Sequence, residues 1–113
     1  MSTYPYEIDY YVTEDGSIPF KEWLESLRDV QGRARIRVGL DRVRLGNLGD
    51  HRSLGGGVQE LRIAFGLGYR VYYGIEGRRI VLILLGGDKS SQKRDIAKAK
   101  QFWRDQQRRS AHD

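Results

Sequence analysis

Cysteine is absent from this chain. With no thiol there is no disulfide framework, no thiolate nucleophile and no thiolate metal site. Histidine is nearly absent as well, with only His51 and His112. A mechanism built on paired histidines is therefore not available, and no histidine–carboxylate cluster supports a metal site. His51 itself, within Asp50-His51-Arg52, reads as a solvent-facing loop residue. Long apolar runs are missing too: the longest, Ile80 to Leu85, is strand-sized and far short of a membrane span. Residues Met1 to Glu7 show neither the basic nor the apolar region of a secretion signal, so the expected location is the cytoplasm, with no membrane partner. The Gly86-Gly87 pair does not match the Walker phosphate loop, which disfavours a nucleotide triphosphatase. No cofactor is expected. Any catalysis must run on Arg, Lys, Tyr and carboxylates.

What remains is basic. The formal charge of +5 divides unevenly: residues 1–30 hold seven acids against two bases, and residues 31–113 hold eighteen bases against eight acids. Clustered Lys and Arg in the C-terminal part suit an anionic partner such as nucleic acid. The competing reading is a solvated basic surface.

At 113 residues the chain is expected to form a single domain, 1–113, near the small end of what buries an adequate core. Glu7 to Thr13, rich in tyrosine and β-branched residues, reads as a first strand ending at the Asp15-Gly16 turn. Pro19 suits a first helical turn, and Phe20, Trp23, Leu24 and Leu27 follow at helical spacing, stopping near Asp29. A second helix starts near Gln31, with Ile36, Leu40 and Val43 on one face, and ends at Gly46-Asn47. Asn47 to Gly57 reads as loop; its glycine triplet either forms an anion nest or serves as a flexible lead into a strand. Strands are expected at Val58 to Ala64, Tyr69 to Ile75 and Arg79 to Leu85, the last apolar on both faces and so interior to the sheet. A last helix runs from Ser90 or Ser91 to about Gln107 with the stripe Ile96, Ala99, Phe102 and Trp103, and residues 108–113 are expected to fray. The order β-α-α-β-β-β-α implies an α+β fold, a mostly antiparallel sheet with helices packed on one face.

Strand alternation sorts the central hairpin. Leu61 and Ile63, with Val71, Tyr73 and Ile75, point toward the helices. Glu60, Arg62, Arg70 and Tyr72 are left on what should be an open concave face, able to hold a phosphate and stack a base. The alternative is that Glu60 pairs with a cross-strand arginine. Gly86 to Asp95 then delivers the chain from a buried strand to a helix N-terminus, whose free amides favour an anion. Lys89 and Lys93 can flank that point, with Asp95 one turn inside. Ser90 and Ser91 read as ordinary caps, whereas a cation at Lys89 is electrostatically misplaced there without an anion.

The segments Gly68-Tyr69-Arg70-Val71-Tyr72-Tyr73 and Leu84-Leu85-Gly86-Gly87-Asp88-Lys89-Ser90-Ser91-Gln92 resemble the RelE/HigB-like toxins of type II toxin–antitoxin systems, in the phage-derived addiction module killer protein branch of the RelE/ParE superfamily. The likeness runs from about Tyr6 to Trp103. It implies a RelE-like fold and a metal-independent endoribonuclease that cuts mRNA on the ribosome by attack of a ribose 2′-hydroxyl. Arg70 would then hold the scissile phosphate, with Lys89 after the last strand and Arg62 in support. Lys89, Lys93, Asp88 and Asp95 are all open as proton donors or acceptors. Arg33, Arg37, Arg44, Tyr72 and Arg94 would contact RNA. The chain departs from RelE at Glu60, in a region lysine-rich there, and at Asp95, near a functional tyrosine there. The implied partners are a cognate antitoxin of the HigA helix-turn-helix type, the ribosome with its mRNA, and operator DNA only through the antitoxin complex. The same architecture serves gyrase-inhibiting ParE toxins, and a third possibility is a non-catalytic nucleic-acid-binding module.

Overall fold

A computed structural model describes residues 4–111. Over these residues the chain forms an α+β fold: a five-stranded mixed sheet with three helices. The strands are β1 (Glu7–Tyr10), β2 (His51–Ser53), β3 (Val58–Ile63), β4 (Tyr69–Glu76) and β5 (Ile80–Gly87), and the helices are α1 (Pro19–Ser26), α2 (Val30–Arg44) and α3 (Gln92–Ala111). Across the sheet the order is β1-β5-β4-β3-β2, with β1 parallel to β5 and every other pair antiparallel. Among the described residues no helix is long and apolar enough to cross a membrane.

The expectation of helices on one face does not hold. α1 and α2 cover one side of the sheet, burying Phe20, Leu24, Ile36, Leu40 and Val43 against Leu61, Val71, Tyr73, Val81 and Ile83. α3 covers the other, where Ala99 and Trp103 meet Val58, Tyr72, Leu82, Leu84 and Leu85. The cause lies in the strands themselves. Tyr72 is as large an apolar body as the residues facing α2, and β5 is apolar on both sides. A bulge opposite Tyr72 and Tyr73 adds to this, because it turns the consecutive Leu84 and Leu85 toward α3. Two apolar faces require two covers.

Three further boundaries differ from the sequence expectation. Residues 51–53 form the edge strand β2 inside the expected loop, closed by the Leu54 amide donating to the Val58 carbonyl at 2.8 Å. The first strand is shorter, because Thr13 turns back to Ser17 through backbone and hydroxyl bonds. Nor does the helix fray after Gln107: α3 continues to Ala111, anchored by Arg109, which donates to the Val12 carbonyl and the Tyr11 hydroxyl. Residues 112–113, and with them His112, lie outside the described residues.

Candidate phosphate-binding end of the sheet

Two cross-strand rows on the α3 side carry the charged residues. In the first, Arg52, Glu60, Tyr72 and Leu85 are successive register partners; in the second, Arg62, Arg70 and Gly87 are. Partners in a register sit close enough for their side chains to interact, so Arg62 and Arg70 are immediate neighbours.

This face is not the open concavity that alternation suggested. Glu60 and Tyr72 are wholly buried and the Arg70 side chain is only 11% exposed, so that of these four expected residues Arg62 is the exposed one. The first turn of α3 accounts for the burial. Gln92 donates its amide to Glu60 Oε2 at 3.0 Å, and Asp95 packs so closely over the strand end that a Cβ on Gly87 would lie 1.9 Å from its carboxylate. Only a glycine leaves room there.

Glu60 is the hub of the row. Arg52 Nε donates to its Oε1 at 2.9 Å, and Arg70 Nε stands 3.8 Å from its Oε2. The alternative of Glu60 pairing with arginines is therefore what the fold adopts. Burial works to raise the Glu60 carboxyl, but the Gln92 amide and the Arg52 guanidinium outweigh it and hold the group below its ordinary range. Arg70 is fixed twice: by that carboxylate, and by Nη1 donating to the Gly68 carbonyl at 2.7 Å. Among the described residues, its Nε and the Tyr72 hydroxyl are both buried without a hydrogen-bond partner. Burial first, then the negative charges of Glu60 and Asp95, pushes the Tyr72 phenol far above its ordinary range. Tyr72 cannot stack a base from this position.

Lys89 reaches the same end by its backbone. Its amide donates to the Leu67 carbonyl at 3.4 Å, tying the start of the 3₁₀ turn Lys89–Ser91 to the β3–β4 turn. Around the position a Cβ on Gly68 would take, Arg70 Nη1 and Lys89 Cβ lie at 3.3 and 3.6 Å. Lys89 and Lys93 are exposed. Asp88, rather than Ser90 or Ser91, caps the turn: its Oδ1 accepts from the Ser90 amide at 2.8 Å, while its own amide donates to Ser91 Oγ. Asp95 is buried and accepts from Ser91 Oγ at 2.5 Å.

The structure thus brings Arg62, Arg70 and Lys89 to one end of the sheet, with Lys93 and Arg94 on the adjoining first turn of α3. It does not bring Arg33, Arg37 or Arg44 there, because α2 packs on the opposite face. Arg33 donates to the Leu27 carbonyl at 2.8 Å, Arg44 stands 3.6 Å from Asp41, and Arg37 is exposed. His51 is exposed on β2, its Nδ1 3.2 Å from the Gly49 carbonyl. Arg52 and Gln92 escaped the sequence reading. The glycine triplet after His51-Arg52-Ser53 was the available signal, since glycines between two short extended runs also mark a hairpin.

No protein-family model matches the chain. An uncharacterized protein of Haemophilus influenzae is 42% identical over 84 residues, which span 74% of this chain and 85% of that protein. The chain belongs to the same family as that protein.

Proposed function

We propose that this member of that family is a RelE/HigB-like toxin of a type II toxin–antitoxin module, acting as a ribosome-dependent, metal-independent mRNA endonuclease. One observation carries the reading: three cations, Arg62, Arg70 and Lys89, gather at one end of the sheet, and a buried carboxylate orients the central one. The β-α-α-β order at the start supports the reading, since it is the order expected of a RelE-like chain.

In the proposed reaction a ribose 2′-hydroxyl attacks the neighbouring phosphorus and the 5′-oxygen leaves, giving a cyclic phosphate. The intermediate gathers negative charge on its non-bridging oxygens, and guanidinium groups held in place beforehand stabilise it without having to reorganise. Arg70 supplies that fixed charge, with Arg62 beside it in register. Of the groups open as proton carriers, Asp88 is engaged with Ser90 and Asp95 is buried under Ser91. Lys89 and Lys93 stand at the surface and take that role. A cognate HigA-type antitoxin would silence the chain and recruit it to operator DNA, and the site of action is the cytoplasm.

The test is induction of the chain alone, with the 5′ ends of cellular transcripts mapped. Growth arrest with new, discrete 5′ ends is expected, and Arg70→Ala or Lys89→Ala should relieve both while the purified variants keep the wild-type circular dichroism. Two fully toxic variants would remove the site. Arrest with intact transcripts would move the protein to the gyrase-inhibitor class.

A further inference from the structure

α3 carries seven bases and two acids. Both acids turn away from solvent: Asp95 is buried, and Asp105 is gripped by Tyr11, Arg108 and Arg109. What solvent meets is a ridge of Arg94, Ala97, Gln101, Arg104 and Arg108, at alternating steps of three and four residues, flanked by Lys93 and Lys98; all are exposed. At 1.5 Å per residue the ridge from Arg94 to Arg108 is about 21 Å long.

This arrangement works against the helix that bears it. Arg94 and Lys98, Lys100 and Arg104, and Arg104 and Arg108 are like-charged pairs four residues apart, and each such pair destabilises an isolated helix. Lys93 and Arg94 also sit in the first turn, where the macrodipole disfavours cations. Among the described residues, Lys93, Arg94, Lys98 and Arg104 make no ion pair that would offset this repulsion. An anionic partner lying along the ridge would.

The chemistry of the ridge selects the partner. A protein interface centres on buried aromatic or aliphatic anchors, and the ridge has no large apolar side chain. It has no aromatic platform for bases and no carboxylate or amide array for reading base edges beyond Gln101. Its guanidinium and ammonium groups suit phosphates in a row. We propose that the outer ridge of α3 binds the ribose-phosphate backbone of RNA without regard to sequence, carrying the strand along the helix from the Arg62–Arg70–Lys89 end. The choice of RNA rests on the ribonuclease reading above; the polyanion track does not.

The experiment measures binding of a fluorescein-labelled, 2′-O-methyl single-stranded oligonucleotide of mixed sequence by anisotropy across a potassium chloride series. Wild type should bind with a steep log–log salt dependence. The triple variant Lys98→Gln, Arg104→Gln, Arg108→Gln should flatten the slope by about 2, since each single-strand phosphate contact contributes about 0.7. The opposite variant, Gln101→Lys, should steepen it by about 0.7, which keeps the idea testable should the triple variant fold poorly. Unchanged slopes in both variants, or equally strong competition from polyglutamate, would overturn the assignment. The probe lacks the attacking hydroxyl, so binding is read apart from cleavage. A chain that shows these slopes and cuts no RNA would lose the ribonuclease reading and keep the track.

Discussion

Glu60 has both carboxylate oxygens engaged and no contact with water. A charge this deep is tolerated only because it is paired and hydrogen-bonded; removing it strands the cations that surround it. Glu60→Ala should cost about 3 kcal/mol, the low end for a broken buried pair because Arg52 is half exposed, as read from the urea midpoint. A loss no larger than that of a surface substitution would show that Arg52 and Arg70 find other partners. Gly86 sets a different limit at the same strand end, where the Trp23 ring packs so close that a Cβ would fall 2.1 Å from it. The indole is wedged between Phe20 and Tyr69, so it cannot swing aside cheaply. Gly86→Ala should therefore destabilise by about 1–3 kcal/mol through overpacking, a loss visible in the thermal midpoint. Wild-type stability in that variant would mean the ring has room that the packing denies it.

The elements were unequally legible. β3 and β4 follow from the apolar positions Leu61, Ile63, Val71, Tyr73 and Ile75 at every second residue, and α1 follows from Pro19 and the Phe20, Trp23, Leu24 spacing, because these patterns report the core that α1 and α2 cover. The second core layer was written less plainly. An apolar β5 already demanded a cover on each side, and the stripe through Ala99 and Trp103 already demanded a sheet to meet. What hid the match was Tyr72, which looks polar by type and behaves as a buried ring, and the bulge at Leu84–Leu85, which alternation cannot anticipate. The same oversight made the site look open. The tie between the α2 cap and β4 was equally hard to see, since its two ends lie forty positions apart. Asp29 accepts from the Gly32 amide at 2.9 Å and from the Tyr69 hydroxyl at 2.7 Å, joining the start of α2 to the start of β4. That bond, with burial second, pushes the Tyr69 phenol up to about 12. Tyr69→Phe should cost about 1 kcal/mol and leave the fold unchanged. In a spectrophotometric titration it should also remove one late-ionising phenol. If the variant keeps the full count of late phenols, the Asp29 bond does not govern Tyr69.

Across the whole molecule, the ends of the described chain are joined by one polar cluster. The Tyr11 hydroxyl donates to Asp105 at 2.6 Å, and Arg109 pairs with Asp105 while donating to Tyr11, so the last turns of α3 are held to the segment that follows β1. Bonds from Tyr11 first, then from Arg109, lower the Asp105 carboxyl from 3.8 to about 2. A carboxylate whose folded pKa is depressed contributes stability that is fully present above its unfolded value and vanishes as pH falls through the folded one. Its window therefore runs from just above pH 3.8 down to about 2. Asp15, Asp29 and Glu60 are lowered as well and titrate in the same acid region, so wild type alone cannot isolate Asp105. The difference between wild type and Asp105→Asn can. At neutral pH the variant should be the less stable, because the neutral amide forfeits the charge that Arg109 and Arg108 pair with. As pH drops through that window, protonation deprives wild type of the same charge, and the gap between the two urea midpoints should close. A gap that stays constant down to pH 2 would mean that Asp105 joins the chain's ends through the Tyr11 hydrogen bond alone, with no contribution from its charge.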